Sequence, residues 1–539
     1  MMSNVSEIIK NHVSLSNTCI DRLYINGYVP NLQTSGQLCY FLREHLGNVM
    51  PSPVLFTPLR ERFIEDVEQM VVQQDIPLIQ FIRGQRKDDI ANDLRSRYKS
   101  DEGVVFVGVA QEKTNAFKAQ KIKGATGHIS FDFSRQSVAV KHYYFYVQDI
   151  DWGPAFVKVC TYIPYPIKIY LNGHEWVKQR LRREGLAFES LDNGFRSCPD
   201  PQRLQEISDE LCAEDVQSFF DRWSNKLPWP LTQIDRQAGY HHRLSIWECE
   251  VSLTQVFQRP VQGRHFFESV IRDNLDLGRP DRVSLLFPTK YTRRTPPPPR
   301  GYRTRIITSG VNPSLHIDYK QTHVKQYFKE EQALRTETTI NNTYDFHVGK
   351  NIRNLEHLRD RGKQINRKLL EAECVGSNCA LSQDTLDQIQ CSTLLDGQRA
   401  SALRFGDPRV MALMHALCHF FHLAVGFRNK ELRQHIAALL GVSPDQYTTG
   451  KMTYDLRRLR LKGLIHRIPK SNRYTVTTFG LQAVFFWTKV HLRIMRPGMA
   501  AIISTTDQMP QPLQQAFKRL EREINKIWDQ ANIQPKCET

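Results

Sequence analysis

The sequence predicts an α+β multidomain protein: a mixed or antiparallel, β-rich body with helices, followed by a small C-terminal domain in which helices lead into a basic hairpin. Three observations predict it. At 539 residues the chain exceeds what one hydrophobic core supports, which points to three or more domains. Residues 129–172 and 283–340 contain short runs that alternate or are densely aromatic, the pattern of half-buried strands. Helical spacing then dominates from 351 onward, ending in a cation-rich segment.

The elements follow in order. Residues 1–75 read as mainly helical, with turns at Asn26-Gly27 and Pro51-Ser52-Pro53. Pro77–Phe81 reads as a strand, Asp88–Tyr98 as a polar helix and Gly103–Val109 as an apolar strand, which together form a parallel βαβ unit. Strands are expected at Ile129–Phe133, Val138–Val147, Ala155–Tyr162 and Ile167–Leu171. Helices follow at Val177–Glu184, stopped by Gly185, and over 201–227, closed by Leu-Pro-Trp-Pro. A second β block comprises Val283–Phe287, Arg303–Thr308, Ser314–Tyr319 and Leu334–Ile340. Its tetraproline, Pro296–Pro299, is an extended basic loop flanked by Arg293, Arg294 and Arg300. The expected domains are 1–125, 126–280, 281–373, a linker over 374–395, 396–498, and a tail over 499–539. In the tail, Leu513, Phe517, Leu520, Ile524 and Ile527 suit a helix that packs on the body or pairs with a second copy.

Segment 408–496 carries the strongest functional signal. Val410–His422 is an apolar helix, and a second helix capped by Asn429 runs to Leu440, with Gly441 as its stop. In a third helix, Met452–Leu461, the residues Met452, Leu456 and Leu459 share a buried face. Thr453, Tyr454, Arg457 and Arg458 are expected on the opposite face, to reach base edges in a major groove. A two-stranded wing follows, with Arg467, Lys470 and Arg473 facing phosphates. This is winged helix-turn-helix order, and the run LRRLRLKGLIHRIPKSNRYTVTTFG resembles the DNA-binding domains of MarR-type regulators, which implies duplex DNA as partner. Charge agrees: 17 Lys/Arg against 5 Asp/Glu give +12 over 396–498, and 9 against 1 give +8 over 282–325, out of a total of +17. Single-stranded DNA or RNA is a further partner class for the body.

Three side-chain clusters could carry chemistry, all as a nuclease or strand transferase using Mg²⁺ or Mn²⁺. In the first, the βαβ loops bring Asp88 and Glu112 together beside Gln111-x-Lys113, an element similar to that of restriction-type nucleases. In the second, Ser314–Lys320 pairs with Leu334–Ile340, so that His316, Asp318, Lys320, Arg335 and Glu337 share one sheet face. HIDYKQTHVKQYFKEEQALRTETTI resembles the strand region of rolling-circle replication initiators, although Asp318 replaces the second metal-binding histidine. The third joins Asp132, Asp149 and Asp151 with His174 and Glu175, in the manner of a ribonuclease-H-type core. His415, His419 and His422 could share a helical face, and Cys374, Cys379 and Cys391 lack a fourth zinc ligand. A ligand-sensing regulator is a further reading. The strings RGQRKDD, GVAQEK, YLNGHEW, IRDNLDLGRPD and LRTETTIN resemble a bacterial protein family that supplies no activity to transfer. Eleven scattered cysteines, no apolar leader in Met1–Lys10 and no membrane span imply a cytoplasmic protein.

Overall fold

The computed structural model describes residues 11–48, 50–82, 84–123, 129–273, 302–307, 314–330, 332–377, 381–395, 397–419 and 425–491, with isolated positions beyond. The chain forms two units, 1–371 and 372–539.

An eleven-stranded sheet organises the first unit. Its strands are β1 (Val13–Tyr28), β2 (Leu78–Gln80), β3 (Gly103–Lys123), β4 (Ile129–Asp149), β5 (Gly153–Cys160), β6 (Ile167–Asn172), β9 (Arg243–Phe257), β10 (Tyr302–Ile307), β11 (Ser314–Tyr319), β12 (Thr322–Lys329) and β13 (Ala333–Ile340). Across the sheet they run β10-β11-β12-β13-β9-β1-β6-β5-β4-β3-β2. The small hairpin β7 (Glu189–Leu191) and β8 (Gly194–Ser197) stands apart. Only β2 pairs in parallel, through the helix Lys87–Arg97, so the βαβ unit read from the sequence forms one edge of an otherwise antiparallel sheet. Segments expected as separate domains over 1–125, 126–280 and 281–373 all contribute strands to this sheet.

Two central strands differ from what the sequence predicts: β1 occupies a stretch expected to be helical, and β9 lies where no strand is expected. Both are covered on each face, so the period-2 signal is diluted by buried residues on both sides. In β1 the alternation also breaks at a register shift between Ile20 and Leu23, where Asp21 and Arg22 form a bulge. β12 was missed as well, and it separates the two strands expected to pair directly. One face of β13 and β9 packs on the helix Leu355–Ser377. There Asn366 accepts from Thr338 Oγ1 at 2.7 Å and donates to the Val251 carbonyl at 2.9 Å, while Gly362 sits where any Cβ would collide with Val251. The other face carries polar residues.

In the second unit a helix (Gln383–Gln390) and a two-stranded hairpin, β14 (Thr393–Leu395) and β15 (Gln398–Ala400), precede the order helix (Pro408–Leu417), short strand β16 (Phe427–Arg428), helix (Asn429–Leu440), helix (Thr449–Leu461), hairpin β17 (Ile465–Arg467) and β18 (Arg473–Val476), helix (Thr478–Val490). The last three strands form a separate sheet, β16-β18-β17. Gly441 ends its helix in the left-handed conformation at φ 67°, as its position in the sequence suggests. Asn429 does not cap: it is the first helical residue, its side chain donates to Thr453 Oγ1 at 3.1 Å, and the preceding Arg428 N–H is held by Glu431 at 2.9 Å. Gly480 is fixed by close approach, since an added Cβ would sit 1.9 Å from the Leu464 carbonyl oxygen. No helix among the described residues is long and apolar enough to cross a membrane.

Candidate nucleic-acid interface

In the second unit the helix Thr449–Leu461 is amphipathic in the expected sense. Met452, Leu456 and Leu459 are buried, whereas Thr453, Tyr454 and Arg457 are exposed. Arg460, one turn beyond Arg457, joins the exposed row; its spacing from Thr453 and Arg457 already places it on that face. Arg458 is a correction. It falls three residues after Asp455 at the edge of the buried face, donates to Asp455 at 2.7 Å and to the Ala402 carbonyl at 3.2 Å, and its guanidinium stacks over Tyr454. Asp455 is fully buried and also binds Arg409 at 2.7 Å and the Tyr447 hydroxyl, so it ties the exposed helix to the helix Pro408–Leu417. No local pattern marks this role, because a lone aspartate in a basic helix looks like surface.

The hairpin divides its cations in the same way. Arg467 and Lys470 are exposed; Arg467 braces the tip by donating to the Ser471 carbonyl at 2.8 Å, and Lys470 takes the left-handed φ of 55° at the turn. Arg473 instead reaches back to the Gly426 carbonyl at 3.0 Å, holding β18 against the residue before β16. It is half-buried, so less of it faces solvent than of Arg467 or Lys470. Arg293, Arg294 and Arg300 lie outside the described residues, as do His422, Cys379 and the apolar residues of the tail repeat.

In the first unit, register places the polar patch differently from expectation. His316, Lys325 and Glu337 form one cross-strand row, and Asp318, His323 and Thr339 the next. Asp318 pairs with His323 at 2.6 Å, and His316 with Ser314 at 2.9 Å. Lys320 leaves the patch: it occupies the β11–β12 turn at φ 48°, with its ammonium over Tyr319. Two strands separate His316 and Asp318 from β9, about 10 Å apart from Glu337 at ordinary strand spacing, so the expected five-residue centre is not assembled.

A different set converges instead. Arg335 is fully buried and binds Asp21, Glu337 at 2.7 Å, Thr254 at 3.2 Å and the Asn193 carbonyl. Glu337 also accepts from the Tyr327 hydroxyl at 2.8 Å. Glu250 accepts from Nε and Nη2 of Arg22 at 3.0 and 2.5 Å and from the Thr339 hydroxyl at 2.7 Å. Carboxylate oxygens of Asp21, Glu250 and Glu337 lie within 4.8 Å of one another. Those acids are the nearest approach among the described residues to a Mg²⁺ or Mn²⁺ donor set on this face, but two arginines and the Tyr327 and Thr339 hydroxyls already engage their oxygens, so the donor set does not fit a divalent cation. His174 lies against this network, its Nε2 3.0 Å from Ser252 Oγ and 3.3 Å from Arg335. Burial, followed by the cations Arg335, Lys178 and Lys329, holds it neutral, well below the usual histidine range.

The remaining two clusters are structural. Burial raises the Glu112 pKa, but hydrogen bonds from Lys158, Lys87 and Tyr144 outweigh it and leave the carboxyl at about 2. With Glu112 so occupied, Asp88 stands exposed in the first turn of its helix, and Lys113 is exposed on the opposite face of β3 from Glu112. Asp149 is fully buried and accepts from Trp223 at 2.7 Å, Arg222 at 2.8 Å and the turn amides of Asp151 and Trp152 at 2.9 Å. Asp151 pairs with Arg183 at 2.7 Å and with Arg222, and Glu175 with Lys178 at 2.7 Å, so the third cluster is a set of ion pairs around a turn. Asp132 lies far down β4, opposite Gln120.

These environments set a pH response. Burial, then Lys158, lowers His142 to about 4, and burial lowers His242 to about 4 despite its bond to the Tyr165 carbonyl. The unfolded chain takes up these protons near pH 6.5 while the folded chain resists them, so their contribution to stability is complete above that pH and is lost as pH falls toward 4. Glu112 adds a second loss, beginning below its unfolded value near 4.5 and completed as pH passes about 2. Urea midpoints should therefore decline steadily from pH 7 to about pH 4; a constant midpoint across that window would contradict the burial of these histidines. Comparison with protein-family models, curated proteins and solved structures found no match, so the functional reading rests on the residues of this chain.

Proposed function

We propose that this protein binds duplex DNA through its C-terminal unit, with the helix Thr449–Leu461 in the major groove and the hairpin β17–β18 as a wing on the phosphate backbone. The observation that carries the reading is the sorting of one helix into two faces. Asp455 and the apolar residues anchor one face, while the other presents Thr453, Tyr454, Arg457 and Arg460 beside the exposed hairpin cations Arg467 and Lys470. The element order supports the winged helix-turn-helix reading and the likeness to MarR-type domains. Base-edge contact would come from the helix, and affinity from Arg467 and Lys470 on phosphates.

The test is a binding measurement with a labelled duplex. Arg457→Ala combined with Lys470→Ala should weaken binding about tenfold or more without shifting the melting temperature, because both side chains are exposed. Arg458→Ala should act in the opposite sense, lowering stability through Asp455 rather than removing a DNA contact. Unchanged affinity in the double variant would remove the reading.

A further inference from the structure

The hairpin of β3 and β4 extends well beyond the sheet that roots it. β5 pairs with β4 only from His142 to Asp149, and β2 with β3 only from Leu78 through Gln80. From Gln111↔Lys141 to Lys123↔Ile129, thirteen successive residue pairs therefore form a two-stranded ribbon with no other strand beside it among the described residues. At about 3.3 Å per residue this is a reach of roughly 40 Å. It is braced along its middle, at the seventh to ninth pairs: the Phe117 N–H donates to the Ile163 carbonyl at 3.1 Å, Phe133 packs on Phe56 at 5.8 Å, and Arg135 donates to Gln33 at 3.0 Å. Lys118 is exposed within the brace, and Gln120, Lys121, Ile122, Ser130 and Asp132 are exposed beyond it.

Charge on the ribbon is one-sided. Over 111–141 the sequence has six cations, Lys113, Lys118, Lys121, Lys123, Arg135 and Lys141, and two acids, Glu112 and Asp132. Glu112 is already held by Lys87 and Lys158, outside the ribbon. Cross-strand register puts Lys113 and Lys121 on one face and Lys118 on the other, so cations flank the ribbon on both sides. A sheet edge of this length invites pairing with other chains unless charge or a partner covers it. A two-stranded ribbon has the width of a DNA groove, and cations on both faces would meet the phosphates of both walls. Near its outer end Ile122 is 47% exposed, an apolar side chain of the kind that inserts between base steps.

We propose that this ribbon is a second contact to duplex DNA, an arm that enters a groove and binds the backbone through Lys113, Lys118 and Lys121. It depends on none of the residues of the C-terminal reading and can fail separately from it. The full chain carrying Lys113→Glu, Lys118→Glu and Lys121→Glu would be titrated against a labelled random-sequence duplex over a range of salt, alongside Arg457→Ala/Lys470→Ala. The expected result is a loss of affinity of about tenfold or more and a log–log salt slope shallower by nearly three, with an unchanged melting temperature. A photo-crosslinking residue at Ile122 should attach to DNA in the wild-type background and also in the Arg457→Ala/Lys470→Ala variant. Unchanged affinity and slope with no crosslink would overturn the arm while leaving the C-terminal reading intact. Loss of binding to anionic vesicles with DNA binding unaffected would overturn it in favour of a membrane surface. Absence of duplex binding by the wild-type chain would overturn both.

Discussion

Arg335→Ala is expected to cost the first unit about 3–5 kcal/mol of folding stability, the range for breaking a buried ion pair by removing one partner. Arg335 is fully buried, and its guanidinium compensates Asp21 and Glu337, which the substitution would leave as unpaired charge inside the sheet. The nearby charges of Asp21 and Glu337 outweigh burial and keep the guanidinium protonated. The network spans β13, β9 and the bulge in β1, and it also takes the Asn193 carbonyl from the β7–β8 hairpin. Chemical denaturation should show an early loss of the sheet, and adding Asp21→Asn to Arg335→Ala should recover part of it, because the double change removes both charges. A cost under about 1 kcal/mol would show that water or another cation solvates the acids, and the network would then not be what holds these strands.

Asp455→Ala is expected to destabilise the second unit by about 3 kcal/mol or more, and to weaken any function of the exposed helix with it. Asp455 is fully buried and is shared by Arg409, Arg458 and Tyr447. The Tyr447 hydroxyl is pushed up to about 12 by burial and then by the Asp455 bond, so it remains a donor to the carboxylate. Asp455→Asn keeps the shape and one acceptor, and should recover about half of the loss. Thermal unfolding of both variants checks this. Equal stability of wild type and Asp455→Ala would mean that the helix is held by Met452, Leu456 and Leu459 alone.

Much of the fold could be read where the signal is local. Alternation over 314–319 and 334–340 placed Arg335, Glu337 and His316 on one sheet face, and the register agrees. The βαβ edge and the order of three helices and a hairpin between 408 and 476 were equally local, whereas the helix Thr478–Val490 was not read. What could not be read was long-range. Asp21, Glu250 and Arg335 meet across more than 300 residues of chain, and each alone looks like surface charge on a strand. Pairing also decided which cations are available: Arg457 and Lys470 stay exposed, whereas Arg458 and Arg473 are drawn inward by Asp455 and by the Gly426 carbonyl. One-residue differences on a helix or hairpin reverse such assignments, and composition cannot resolve them.

In the proposed reading the exposed face of the helix Thr449–Leu461 and its hairpin form a duplex-DNA surface. The most direct measurement is the dependence of binding to a labelled duplex on salt, for the wild type and for Arg457→Ala/Lys470→Ala. Affinity should fall linearly with salt on log–log axes, with a slope shallower by about one in the variant, for the counterion that Lys470 releases on a phosphate, and a further salt-independent loss from Arg457 at a base edge. Binding that does not respond to salt, or a variant slope identical to that of the wild type, would contradict it.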